Sequence, residues 1–284
     1  MLKQRIITAL ALLAVLLPAL FAETPQAFLI LSALLIAAGA WEWARMNGMA
    51  NVQSVLSGLM CAGMCALAWW AGWTSQTQTW LWWFAGASWV GLTTWMLLRG
   101  VQGWALWRQN VRWVLGVLML WLAWLAMAQA RTSSVQLLLS IFCVVWAADV
   151  FAYFFGRALG GKIIHQKLAP TVSPGKSWEG AIGGLFGVFL MAFGWMHLEQ
   201  IYQWPGTSFF MEMTQLGGFL WALSLIFLTT MSVVGDLVES LVKRSAGVKD
   251  SSKLLPGHGG VLDRLDALLP ALPIAMMLLH WPKV

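Results

Sequence analysis

The chain has 284 residues, of which 60% are hydrophobic and only 10% charged, and its mean hydropathy is +0.74. Such a composition excludes a soluble globular protein and leaves no polar region large enough for a separate soluble domain. The net charge of +6 does not point to nucleic acid, because the basic residues are scattered through short loops.

A membrane-crossing helix takes about 20 mostly apolar residues. Nine stretches meet that need: 6–22, 27–46, 53–73, 79–98, 112–130, 134–155, 179–198, 216–235 and 264–282. The first is read as a retained span rather than a cleaved leader, since a second apolar run follows almost at once and Pro18 lies inside it. With the N-terminus in the cytoplasm, Lys3, Arg5, Arg45, Arg99, Arg108, Arg112, Arg157, Lys162, Lys167, Lys176, Lys243, Arg244, Lys249, Lys253 and Arg264 all fall on the cytoplasmic side. Arg131 and Lys283 fall outside. This bias fits nine spans with the C-terminus outside, because omitting one span reverses every later loop. The fold class expected is therefore an all-α polytopic membrane protein forming one integral domain, 1–284. The 21 tryptophans suggest interfacial belts. Cys61, Cys65 and Cys143 lie in apolar runs and read as packing residues.

In span six, Asp149, Tyr153 and Arg157 are four apart and share a helix face. An acid at that depth must face protein or a wet cavity. The following loop, 156–178, contains Gly175-Lys176-Ser177. It is not a nucleotide-binding P-loop: the first glycine of that motif would fall at Pro170, and no strand is expected before it. Ser173, Lys176 and Ser177 precede a helix start, which suits either an anion or a serine-capped interfacial turn. His165 reads as a surface loop residue.

Charge is concentrated in residues 235–266, which hold five of the eleven acids and five of the seventeen bases. Asp236, Glu239, Ser240 and Lys243 form one helical stripe, and Asp263 and Asp266 are three apart at the start of span nine. Paired carboxylates suit hard cations such as Mg²⁺, whereas zinc would need histidine or cysteine clusters. Between the pairs, Pro256-Gly257-His258-Gly259-Gly260 forms a turn able to wrap backbone N–H groups around phosphate oxygens. Lys243, Arg244, Lys249 and Arg264 supply positive charge for phosphate. A set of exposed salt bridges contributes only about 0–1 kcal/mol each and gives little reason for this assembly. The residues alone indicate phosphoryl or nucleotidyl transfer at a membrane, with an ion-coupled transporter as the rival class.

The run Ser240-x-Val242-Lys243-Arg244, Lys249-Asp250, and Leu255-Pro256-x-His258-Gly259-Gly260-Val261-x-Asp263-Arg264-Leu265-Asp266 resembles the signature of the phosphatidate cytidylyltransferase family in its bacterial form. The Asp149 segment, the 167–180 loop and Gly235-Asp236 share the resemblance; the first 130 residues share only hydropathy and Trp41-Glu42-Trp43. The resemblance implies transfer of CMP from CTP to phosphatidic acid, an Mg²⁺ ion with an accompanying K⁺, a homodimer, and a bacterial inner membrane with the site facing the cytoplasm. A CTP-dependent lipid-alcohol kinase is the neighbouring alternative.

On that reading Asp236 and Asp263 lead metal binding, with Asp266 and Asp149 as further ligands or supports. Lys176, Lys243, Arg244 and Lys249 hold phosphates, and His258, Gly259 and Gly260 shape the triphosphate seat with Arg264 beside them. Ser173 and Ser177 belong to the substrate-binding set, and Glu239, Ser240 and Asp250 stand behind the acids. Residues 1–78 then carry spans one to three, 79–131 carry spans four and five with the dimer contact, and 132–284 form the catalytic part with loops 156–178 and 236–263.

Overall fold

A computed structural model describes residues 2–76 and 78–282. Lys283 lies outside the described residues, as does the side chain of Lys3. The helices are α1 (Leu2–Phe21), α2 (Gln26–Met46), α3 (Asn51–Trp70), α4 (Thr79–Ala105), α5 (Gln109–Ser133) and α6 (Val135–Leu159). A short antiparallel hairpin follows, β1 (Lys167–Ala169) and β2 (Ser173–Ser177), then α7 (Trp178–Tyr202), α8 (Phe209–Thr214), α9 (Gly218–Ser245), α10 (Leu262–Leu265) and α11 (Leu268–Leu279).

All nine expected spans are present as helices, but seven are long and apolar enough to cross a membrane. The exceptions are α4 and α11. Helix α4 is broken at Gly100 (φ 64°, ψ −165°). Helix α11 has 12 residues, about 18 Å at the usual rise, which is short of the roughly 30 Å hydrocarbon layer. It is instead the centre of the bundle. Leu268 to Leu278 are all buried, and α11 packs on α4, α5, α6 and α9.

Capping explains several boundaries. The Ser134 side chain accepts from Leu137 N (3.0 Å) at the start of α6, and Ser177 accepts from Gly180 N (3.1 Å) at the start of α7. Contrary to expectation, residues around Gly175-Lys176-Ser177 do form a strand, β2, which runs straight into α7. The hairpin pairs its backbone with β1, a local solution that periodicity of side chains does not reveal.

Helix polarity follows from contacts at the two ends. Arg131, buried at the end of α5, donates to the carbonyls of Leu20 (2.8 Å) and Ala22 (2.5 Å), so it caps the C-terminal end of α1. At the other end of α1, Thr8 donates to Pro256 O at 2.9 Å. Helix α5 is covered on most of its length by α2, α3, α6 and α11, so within 79–131 the exposed apolar surface is carried mainly by α4, through Trp80, Phe84 and Leu98.

The tryptophans do more than line an interface. Trp82, Trp104 and Trp124 are fully buried, and indole N–H groups tie helices together: Trp82 to Gln129 (3.1 Å), Trp113 to Ser57 (2.7 Å) and Trp124 to the Leu29 carbonyl (3.2 Å). Cys61 and Cys65 are buried free thiols, as expected of packing residues.

The tightest helix pair is α6 with α7. A Cβ added at Gly184 would lie 2.8 Å from the Ala148 carbonyl, so glycine there allows the backbones to touch. Gly184→Leu is predicted to lower the unfolding temperature of the detergent-purified protein by several degrees, as overpacking by about 1–3 kcal/mol requires. Gly194→Leu, where an added side chain meets open space, is predicted to leave it unchanged.

Candidate active site

The C-terminal ends of α6 and α9 and the hairpin enclose a cavity of about 330 Å³ lined by Asp149, Tyr153, Gly156, Lys176, Ser177 and Asp236. The hairpin carries Lys176 across to α9, where its ammonium lies 2.7 Å from Asp236 Oδ2 and 3.4 Å from the Val233 carbonyl. Ser240, one turn on, donates to Asp236 Oδ1 at 3.2 Å. Asp149 is open to the cavity and has no hydrogen-bond partner among the described residues. It lies within electrostatic reach of Asp236 and Lys176, and Asp266 within reach of both Asp236 and Asp149. Three carboxylates and one ammonium thus converge from α6, α9, the hairpin and the break between α10 and α11. Tyr153 does not bond Asp149; it accepts from Arg157 at 2.9 Å, at the exposed end of α6.

A second cluster adjoins the first. Lys243 lies between Glu239 and Asp263, pairing with the former and 2.7 Å from Oδ1 of the latter. Asp263 Oδ2 accepts from Ser251 N (2.9 Å), Ser251 Oγ (3.0 Å) and Gly260 N (2.8 Å). Burial opposes ionisation of Asp263, but Lys243 and these backbone N–H groups outweigh it and hold its carboxyl below the usual aspartate range. Through the contact with Gly260 N, Asp263, the second residue of α10, satisfies a backbone donor just ahead of its own helix. Gly260 has no room for a side chain: a Cβ would meet Ser251 Oγ at 2.0 Å and Glu42 Oε1 at 2.5 Å.

Other expected site residues stand further out. Arg244, Lys249 and Asp250 are exposed on the same end of the bundle. Arg264 is exposed and donates through Nε (3.1 Å) and Nη2 (2.8 Å) to the His258 carbonyl, which shapes the turn. Gly259 O accepts from Leu255 N at 2.9 Å, closing the same turn, and His258 Nδ1 is buried without a partner. Ser177 caps α7 through its hydroxyl oxygen and also lines the cavity, and Ser173 begins β2.

Two acids were not foreseen as part of this region. Glu179 accepts from the N–H groups of Gly161 (3.0 Å), Ile163 (3.1 Å) and Ile164 (2.9 Å), fastening the segment before the hairpin. Glu42, from α2, grips the 251–262 loop. The available signal was an acid inside an otherwise apolar span, between Trp41 and Trp43.

Among the described residues no three His, Cys, Asp or Glu side chains form a ready-made ion cage. That arrangement still fits Mg²⁺, which binds through one or two carboxylates completed by substrate phosphates. Asp149, with no hydrogen bond and beside Asp236 and Asp266, is a hard-oxygen donor of the right kind.

Fold and site together define an integral membrane protein whose cleft, at one end of the bundle, alternates carboxylates with lysines in the manner of a polyphosphate-handling centre. The chain belongs to the cytidylyltransferase family, whose pattern matches residues 3–281. It is 35% identical over 293 residues to a phosphatidate cytidylyltransferase of Haemophilus influenzae, covering 96% of each chain. It is 36% identical over 299 residues to one of Pseudomonas aeruginosa, covering 98% of this chain and 97% of the other. A Staphylococcus haemolyticus protein of the same name is 40% identical over 149 residues, about half of each chain (52% and 51%).

Lys243→Met is predicted to destabilise the protein by about 3–5 kcal/mol, because it strands the buried Glu239 carboxylate and takes one donor from Asp263. Arg244→Met, at the exposed neighbouring position, should change stability by less than about 0.5 kcal/mol; thermal unfolding in detergent compares them. The Asp263 contribution has a definite sign. A depressed folded value gives stability that is complete above the ordinary value of 3.8 and is lost as pH falls through the folded value. The difference in unfolding temperature between wild type and Asp263→Asn should therefore be flat from about pH 5 to 8 and shrink below about pH 4.

Proposed function

We propose that this protein is a phosphatidate cytidylyltransferase of the bacterial inner membrane, working as a homodimer with its cleft facing the cytoplasm. It transfers CMP from CTP to phosphatidic acid and releases pyrophosphate. The observation that carries this reading is the convergence of Lys176, Asp236 and Asp149 on one cavity, with Asp266 within electrostatic reach of both acids, at the bundle end that also holds Lys243 and Asp263.

A lipid phosphate oxygen attacks the α-phosphorus of CTP, a new P–O bond forms, and the bond to the β-phosphate oxygen breaks. The nucleophile is already ionised near neutral pH, so no side chain needs to remove a proton. Catalysis then consists of bringing two anions together and neutralising them. Lys176 and Lys243 carry the nearest positive charge. Each is held by carboxylates, and an arriving triphosphate competes for the ammonium groups, leaving carboxylate oxygens open. Arg244, Lys249 and Arg264 supply a rim of positive charge for CTP, and His258, Gly259 and Gly260 form the turn next to it.

Asp236, Asp149, Asp266 and Asp263 are the residues that would hold Mg²⁺ and an accompanying K⁺. When bound, the metal ion supplies charge neutralisation and in-line alignment of the phosphates. On the lipid side, Trp146, Val150, Tyr153 and Phe154 of α6 are exposed beside the cleft. That stripe gives the acyl chains of phosphatidic acid an apolar approach while the headgroup enters among the charges. Exposed apolar residues of α4 offer the surface for a second protomer.

Asp236→Asn in folded, detergent-purified protein is predicted to lower turnover of CTP with phosphatidic acid by a factor of about 10² or more, the scale of losing a principal electrostatic group. Chelation of divalent cations should abolish wild-type turnover, and restored Mg²⁺ should recover it. Wild-type-like turnover by Asp236→Asn, or undiminished activity in excess chelator, contradicts the assignment.

A further inference from the structure

Glu42 lies at the end of α2, far in sequence from the residues of the cleft, and is fully buried. Among the described residues its carboxylate has no cationic partner, yet it accepts four hydrogen bonds. Ser252 Oγ (2.5 Å) and Val261 N (2.9 Å) donate to Oε1. Leu262 N (2.7 Å) and Ser251 Oγ (3.0 Å) donate to Oε2. Every donor comes from one segment, the loop between α9 and α10 and the first turn of α10.

Burying a carboxylate without a cation is costly. A neutral side chain avoids that cost but fails a stricter requirement. The loop presents two backbone N–H groups and two hydroxyls to one point, and only an ionised carboxylate accepts through both oxygens without bringing a donor of its own. A glutamine would turn its own NH₂ against donors already there. The absence of a side chain at Gly260 is what allows Glu42 so close.

The Ser251 hydroxyl lies 3.0 Å from both Glu42 Oε2 and Asp263 Oδ2. It has one proton, so it donates to one carboxylate at a time while Ser251 N remains on Asp263. Glu42 and Asp263 therefore act on opposite sides of the same serine, and Gly260, Val261 and Leu262 pass between them with successive N–H groups bound: Gly260 to Asp263, the next two to Glu42. The first turn of α10, which aims Asp263 at Lys243 and leads to Asp266, is fixed from α2.

We propose that Glu42 is a positioning residue for the transfer reaction: its carboxylate, through four hydrogen bonds to residues 251–262, sets the loop and thereby the placement of Asp263. The inference rests on the cytidylyltransferase reading for its effect on turnover, but its effect on the loop stands apart from it. It also assigns a task to an acid in the N-terminal third of the chain.

The test uses the full-length protein in detergent, comparing wild type, Glu42→Gln and Glu42→Asp. Glu199→Gln is the control, because Glu199 is a buried acid on α7 that accepts from Ser208 N (3.0 Å) at the opposite end of the bundle. Amide hydrogen exchange and turnover at varied CTP and Mg²⁺ are measured on each. Glu42→Gln is expected to speed exchange of the 251–262 amides about tenfold or more, with exchange in α9 and α11 unchanged. Its kcat should fall about 10–100-fold and its half-saturating Mg²⁺ should rise, as when a group behind metal-binding residues is removed. Glu42→Asp, which keeps the charge, should recover part of both, and Glu199→Gln should shift neither the loop exchange nor the Mg²⁺ requirement.

Turnover and Mg²⁺ dependence within twofold of wild type in Glu42→Gln overturn the proposal. So does accelerated exchange spread evenly over all helices, which marks a general packing role. If Glu42→Gln does not fold, Glu42→Asp decides alone by the same two readouts. A wild type that makes no CDP-lipid overturns the enzymatic reading instead, and the exchange pattern still reports whether Glu42 sets the loop.

Discussion

Lys243 sits between Glu239 and Asp263, and the rest of the cleft depends on that charge balance. A membrane-facing bundle has little water with which to stabilise an isolated carboxylate, so each acid needs a specific donor or must open onto a wet cavity. Three solutions appear side by side. Lysines pair with Asp236, Glu239 and Asp263. Backbone N–H groups and hydroxyls satisfy Glu42 and Glu179. Asp149 is left open to the cavity. The acids bound by N–H groups and hydroxyls fasten loops, whereas Asp149, and Asp236 beside Lys176, line the cavity itself.

This division explains the architecture around the cleft. Helix α11 has 12 residues and is buried because it packs on α9, α4 and α5 at once. Glycine contacts let α7 press against α6 and bring the hairpin with Lys176 over α9. Arg131 and indole N–H groups tie further helices together by side-chain hydrogen bonds to backbone carbonyls.

The all-α membrane class, the helix positions and the clustering of charge at 235–266 were legible in the sequence, because hydropathy over about 20 residues and charge in an apolar chain are strong signals. Helical spacing also placed Asp236, Glu239, Ser240 and Lys243 on one stripe, and the structure has that stripe. The hairpin was not legible: β1 has three residues and is specified by backbone pairing, not by alternation of side chains. Neither was the inward role of α11, which has the hydropathy of a span but only 12 residues before its C-cap. Glu42 was visible as an acid in an apolar run, but its partners are more than 200 residues away, a distance no local pattern spans. At Ser177 the sequence left two readings open, an anion site or a helix cap; the hydroxyl caps α7 and the residue also lines the cavity.

The central claim is that one cleft joins the α-phosphate of CTP to a lipid phosphate. It is tested most directly by incubating purified protein with phosphatidic acid, Mg²⁺ and CTP labelled in separate reactions at the α- and γ-phosphates. The α label is expected in an organic-extractable CDP-lipid and the γ label in pyrophosphate, in equal amounts. A γ label in the lipid with CDP released, or no label in the lipid from either nucleotide, contradicts it.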